Sequence, residues 1–146
     1  SILYMRDDGM MGINNTAPGY HLHVTGRIKS NGLNEISDIR LKTDIATLTQ
    51  VLSKVLCLQG VTYRMKDAKP ESKKEMGLIA QEVEVLFPEL VDTDANGYKS
   101  IEYSRVVAVL IEAIKEQETR IVNLEKKLSA YSTFESSLEK VKAEME

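Results

Sequence analysis

The stretch Ser104–Glu146 contains neither glycine nor proline. Nothing in it interrupts helix propagation, so it predicts one helix of up to 43 residues, about 65 Å long at 1.5 Å per residue. Ser104 is the candidate N-cap. Val107, Ile114, Ile121 and Leu128 fall at heptad position a, and Leu110, Gln117, Leu124 and Tyr131 at d. Seven of these eight are apolar or aromatic, which is the pattern of a coiled coil. A solitary helix would leave this stripe in water, so the seam Val107, Leu110, Ile114, Gln117, Ile121, Leu124 and Leu128 calls for partner helices. Arg120 at g and Glu125 at the following e fit a parallel pairing. Gln117 at a core position lowers stability and can fix register or oligomer number. Ile at a with Leu at d usually favours dimers, so the heptads leave the strand number open. Beyond Tyr131, Phe134, Leu138, Val141 and Met145 keep a 3/4 spacing in a shifted phase, as a stammer would. Folding back or fraying of this last part is the alternative.

Composition removes several classes of function. Net charge is −3, with 19 basic and 22 acidic residues interspersed, so no basic footprint for nucleic acid and no polybasic membrane patch is expected. Aromatics are 5% and tryptophan is absent, which argues against a stacking surface. The single Cys57 has no partner for an internal disulfide; within Val55-Leu56-Cys57-Leu58 it reads as a buried small hydrophobe. No apolar run of transmembrane length and no signal peptide is expected. The first residues read as mid-pattern, as in a fragment of a longer chain.

Residues 1–36 read as short strands and turns. Ile2–Met5, Met11–Ile13 and Tyr20–Val24 are separated by Asp7-Asp8-Gly9 and the turn formers Asn14–Gly19. There is too little apolar material here for a self-standing core, and three copies winding together would supply one. His21 and His23 share a strand face, but no further ligand completes a metal site, so packing histidines are expected and no metal.

Further along, Ile39, Leu41 and Ile45 alternate with Arg40, Lys42 and Asp44, predicting an extended segment with one face buried. A helix over 47–56 follows, capped by Asp44 or Thr47 and closed by Gly60, with Leu48, Val51, Leu52 and Val55 on one face. Residues 61–101 predict a small α+β unit. It comprises a strand over Val61–Met65, a charged loop over Lys66–Glu75 and a strand over Met76–Ile79. A helix over Ala80–Phe87 follows, with Val83, Leu86 and Phe87 inward and Pro88 stopping it. Leu90–Asp92 and Tyr98–Ile101 flank the hairpin turn Asp94-Ala95-Asn96-Gly97.

Chemistry concentrates at Ser37-Asp38-Ile39-Arg40-Leu41-Lys42. A serine hydroxyl needs a base, and Lys42 is the nearest nitrogen base to Ser37. A free lysine is neutral in only about four molecules per ten thousand at pH 7, so a general-base lysine needs an apolar, desolvated setting. Residues five apart lie on opposite faces of a strand and about 140° apart on a helix. A bend, or a neighbouring chain, must therefore bring Ser37 and Lys42 together. Two unrelated polar residues are what spacing alone supports.

The sequence pattern adds to this. Ser37–Ile45, then Met76-Gly77-Leu78-Ile79-Ala80-Gln81-Glu82-Val83 with Phe87-Pro88-Glu89-Leu90-Val91, then Ile101-Glu102-Tyr103-Ser104-Arg105 running into Leu110–Ile114, occur in this order. Together they resemble the C-terminal intramolecular chaperone of bacteriophage tail fibres and tailspikes, of the endosialidase tailspike type. Met11-Gly12-Ile13 and Leu22–Gly26 are similar to the fibre ends that precede such domains. The resemblance implies a homotrimer of this chain with two identical chains. Residues 1–37 would be a β-rich fibre end, 38–103 an α+β chaperone domain and 104–146 its coiled-coil helix. It implies an intramolecular chaperone that directs fibre folding, then releases itself by autoproteolysis between Ser37 and Asp38. Ser37 would be the nucleophile, Lys42 its base, and the reaction a single-turnover serine endopeptidase cleavage. Asp38 could restrain the scissile bond. Arg40 and Arg105 could pair with acids of other subunits, and Gln81 and Glu82 could cap a helix. No cofactor, nucleic acid or membrane insertion is expected, and a host receptor would be met through the mature fibre alone. The fibre would belong to the virion and the chaperone to the infected bacterial cytoplasm. A trimerisation module that never cuts is the alternative. The related self-cleaving domain of eukaryotic membrane-tethered transcription regulators fits less well, given the fibre-like residues 1–36.

Overall fold

A computed structural model describes residues 2–145. Ser1 and Glu146, the outer ends of the first and last expected domains, lie outside the described residues. The chain divides into two compact units, Ser1–Ala46 with Thr93–Tyr98, and Thr47–Asp92 with Lys99–Glu146.

The first unit carries a three-stranded sheet, β1 (Leu3–Met5), β2 (Met11–Ile13) and β3 (Leu22–Val24), in that order. β1 and β2 are antiparallel with Tyr4 opposite Gly12; β2 and β3 are parallel with Gly12 opposite His23. A Cβ on Gly12 would fall 2.0 Å from the Asn15 carbonyl oxygen, so this close approach admits only glycine. Asn14, two residues after Gly12, is left-handed at φ 52°. His23 accepts at Nδ1 from the Gly19 N–H at 3.3 Å and meets the Tyr20 ring edge-on at 5.8 Å. Every residue of β1 is exposed, as are Ile28, Leu33 and Ile36. Hydrophobic surface is thus displayed rather than buried. At the tip 93–98, Asp94 Oδ1 accepts from the N–H groups of Asn96 and Tyr98, and Gly97 supplies the left-handed residue at φ 83°.

The second unit is α+β. It comprises α1 (Val51–Val55), β4 (Val61–Tyr63), β5 (Glu75–Gly77), α2 (Ala80–Leu86), a 3₁₀ turn at Pro88–Leu90, β6 (Val91–Thr93), β7 (Lys99–Ile101) and α3 (Tyr103–Met145). β4 pairs with β5 antiparallel, and β6 with β7. Val51, Val83, Phe87, Leu90, Val109 and Ala113 form the buried core, with Leu52, Val55, Leu58, Leu78, Leu86, Val91, Ile101 and Val106 packed around it. Val83 on α2 and Phe87, the residue that closes it, both face inward, and Pro88 stops that helix by removing a backbone donor. The Tyr103 hydroxyl accepts the Leu78 N–H at 2.9 Å. A Cβ on Gly77 would stand 2.6 Å from that hydroxyl oxygen. The second and third signature blocks of the sequence meet at this point. Among the described residues no helix is long and apolar enough to cross a membrane.

Several expectations need correction. The first helix is five residues long and starts at Val51 rather than Thr47. Gln50, left-handed at φ 56°, precedes it and offers no side-chain cap. The cap comes from α3, 65 positions away: the Glu116 carboxylate accepts the N–H of Val51 at 3.1 Å and of Leu52 at 2.9 Å. These bonds, that of Leu52 foremost, hold the Glu116 carboxyl below its ordinary value. The helix closes at Leu56, so Gly60 is not its cap. Cys57 is exposed rather than buried, because the chain has already turned out of the helix there; its Sγ bonds the Ser53 carbonyl. Side chains of Gln81 and Glu82 do not cap α2, whose N-cap Ile79 has an extended backbone. Arg105 pairs within its own chain with Glu102, one turn earlier.

Candidate active site

Ser37 and Lys42 meet within one chain. Lys42 Nζ lies 2.7 Å from Ser37 Oγ. The segment between them is not the extended strand that alternation suggests. Ile39–Leu41 forms a 3₁₀ turn, closed by Leu41 N–H donating to the Asp38 carbonyl and Lys42 N–H to that of Ile39, each at 3.1 Å. Asp38 and Lys42 on either side are extended, with φ, ψ of −65°, 133° and −119°, 145°. A turn of three residues between two extended flanks returns the chain on itself and brings positions 37 and 42 to the same side.

Asp38 builds that turn. Its Oδ1 accepts the Arg40 N–H at 2.9 Å, the N-cap bond of the turn. The Arg40 guanidinium closes over the same carboxylate, Nη2 to Oδ2 at 2.6 Å and Nε to Oδ1 at 3.0 Å. This side-chain bond, then the backbone one, holds the Asp38 carboxyl below the usual carboxylate range; the positive charge of Lys42 adds to it. The Arg40 guanidinium is held correspondingly more basic by Asp38. Arg40 is thus engaged inside its own chain, where the sequence suggested an acid of another subunit. Asp38 thus fixes the turn that directly follows Ser37.

Alternation misleads here because a buried face needs something to bury it. Ile36, Ile39 and Leu41 are 85%, 71% and 73% exposed, and Ser37 and Lys42 also face water. The flanking apolar groups that could desolvate the pair are present in sequence and uncovered in one chain. A lysine takes a proton from serine as a free amine, a form that desolvation favours.

Helix α3 runs unbroken to Met145, without the fold-back or fraying that the phase change at Tyr131 allowed. Val109 and Ala113 are buried against the core, Val106 and Glu116 beside them. The heptad stripe lies about 90° further round at 100° per residue. Its apolar members Val107, Leu110, Ile114, Ile121, Leu124 and Leu128 are between 42% and 70% exposed, and Gln117 is exposed with them. One helix therefore offers two faces, one spent on its own domain and one open.

Residues 37–92 match the peptidase family described as chaperone of endosialidase. The long tail fiber protein Gp37 of Enterobacteria phage Ox2 is 33% identical over 136 residues, covering 79% of this chain and 54% of that protein. Gp37 of Salmonella phage S16 is 32% identical over 111 residues, and Gp37 of Enterobacteria phage K3 33% over 98 residues. The chain spans 15% and 8% of those two relatives. The similarity to that family covers residues 37–92, which is 56 of the chain's 146. The match begins at Ser37, the residue that meets Lys42 across the turn.

Proposed function

We propose that this chain is the C-terminal assembly region of a phage tail fibre. Three copies join through α3, guide the fibre ends of residues 1–37 into an intertwined structure, and the chaperone of residues 38–146 then releases itself by cutting between Ser37 and Asp38. The observation that carries this reading is the 2.7 Å approach of Lys42 Nζ to Ser37 Oγ across the Asp38-capped turn. Lys42 takes the hydroxyl proton and Ser37 becomes the nucleophile. Assembly activates the pair by covering Ile36, Ile39 and Leu41, which withdraws water from the amine.

Threading coreless strands together carries a large cost in chain entropy. A coiled coil lowers it by raising the effective concentration of the chains and setting their register. Cleavage then removes the reverse route, so the fibre becomes kinetically locked. The fibre piece stays with the virion and the chaperone is left in the infected bacterium. The sheet edges and exposed side chains of residues 2–36 support a fibre end that needs neighbours. A trimerisation module that never cuts is the second reading, favoured by the exposure of Ser37 and Lys42 in a single chain. A time course of the purified trimer on a denaturing gel separates the two. Wild type should resolve into two fragments while Ser37→Ala stays whole; a trimer that remains uncut at long times leaves the structural module.

A further inference from the structure

We propose that the serine that opens each Ser37–Asp38 bond comes from a neighbouring copy of the chain, so that the site is complete only between two chains. The inference rests on the cleavage reading above and concerns which carbonyl the Ser37 hydroxyl can reach. Three bonds separate Ser37 Oγ from the carbonyl carbon of its own residue. Attack there closes a four-membered ring, whose angles of about 90° lie some 20° below the relaxed value. In its own chain the same oxygen reaches the Ile36 carbonyl through a five-membered ring instead. That path shifts the Ile36 acyl group from nitrogen to oxygen and cuts before Ser37, not after it. Attack on the Ser37–Asp38 bond without ring strain therefore takes a second chain. Ser37, Ile36, Ile39, Leu41 and Lys42 are all exposed, which leaves the pair open to another copy's backbone. The Asp38 carboxylate is occupied by Arg40 and is not the competing base.

The step balances with water as co-reactant. On one chain, neutral Lys42 takes the Ser37 Oγ proton while the oxygen attacks the Ser37 carbonyl carbon of the neighbour. The tetrahedral oxyanion collapses, the bond to the Asp38 nitrogen breaks, and the Lys42 ammonium returns the proton to that nitrogen. The neighbour's fibre piece is then an ester on the first chain's Ser37. Water, deprotonated by Lys42, attacks the ester; Oγ leaves and takes up the proton. The sum is one peptide bond and one water converted to a carboxylic acid and an amine.

Co-expression of wild type with mass-tagged Ser37→Ala or Lys42→Ala chains tests this, with mixed trimers isolated and their fragments weighed. Each variant retains an intact 37–38 bond but cannot itself supply an activated serine. In a cyclic trimer each chain faces one donor, so with nine wild-type chains per variant chain the cut fraction of the variant should rise from none towards about nine-tenths. The new N-terminus should be Asp38. Wild-type chains cut beside variant chains left whole would overturn donation between chains while leaving cleavage in place. A fragment beginning at Ser37 would overturn it in favour of the acyl shift within one chain. If wild-type trimers are themselves uncut, the cleavage reading falls and this inference with it.

Discussion

Replacing Ile121 by aspartate puts a carboxylate in the middle of the open stripe of α3. In the single chain Ile121 is 42% exposed and contributes nothing to the buried core. The fold of one chain should therefore change by no more than about 0.5 kcal/mol, as for other surface substitutions. In a trimer the exposed part would be covered. Full burial of such a side chain is worth roughly 1.5–3 kcal/mol, so the 42% still exposed corresponds to about 0.6–1.3 kcal/mol per chain, or ~2–4 kcal/mol per trimer. Three carboxylates sharing one layer add several kcal/mol more in desolvation and repulsion. The association constant should fall at least about a thousandfold. Thr119 lies on the outer side of the heptad, its hydroxyl bonded to the Lys115 carbonyl, and Thr119→Asp serves as the charge-matched control. Sedimentation equilibrium of both variants, with circular dichroism for the fold and mass spectrometry for cleavage, gives the answer. Ile121→Asp should be folded, dissociated and uncut, and Thr119→Asp assembled and cut. An Ile121→Asp protein that remains trimeric would show that the stripe is not the seam, and one that dissociates and still cleaves would show that cleavage does not need assembly.

Other substitutions probe the domain itself. Gly77→Ala should displace the Tyr103 hydroxyl from the Leu78 N–H and destabilise the domain by about 1–2 kcal/mol in denaturant melts, while Tyr103→Phe should cost about 1 kcal/mol. Glu116→Ala should raise hydrogen exchange at Val51 and Leu52. The Glu116 carboxyl is depressed by the fold, so its contribution is fully present above its ordinary value of 4.5 and fades as pH falls through the lower folded value. The Asp38 turn follows the same sign below 3.8, so NMR signals of Ser37–Lys42 should hold their positions to that pH and shift in stronger acid. Finally, a thiol reagent should titrate Cys57 without denaturant, since that side chain is exposed.

The long helix, the hairpin tip and the inward residues of α2 were legible because their signals are local. An uninterrupted stretch without glycine or proline, an Asp-x-Asn-Gly turn and a proline stop each determine their own backbone. The 3₁₀ turn at Ile39–Leu41 was not legible in the alternation of apolar residues, since a strand needs a partner and this segment finds its bonds in the Asp38 and Arg40 side chains instead. An Asp followed two residues later by Arg is a faint signal for it. The start of α1 was hidden for a different reason. Its cap is Glu116, which no local pattern links to Gln50. Cys57 departs from the burial that its apolar run suggests, because of that stretch only Val51, with Leu52, Val55 and Leu58 beside it, packs into the core. The pairing of Ser37 with Lys42 needed a bend, and spacing said so without supplying it.

On the proposed function, Ser37 and Lys42 cut the chain once it has assembled. Intact-mass spectrometry of wild type, Ser37→Ala and Lys42→Ala, with oligomer size measured on the same samples, tests it most directly. Wild type should give two fragments meeting at Ser37 and Asp38, while both variants should be trimeric and whole. A trimeric wild type that keeps its full mass, or a Lys42→Ala trimer that is cut as fast as wild type, would contradict the account.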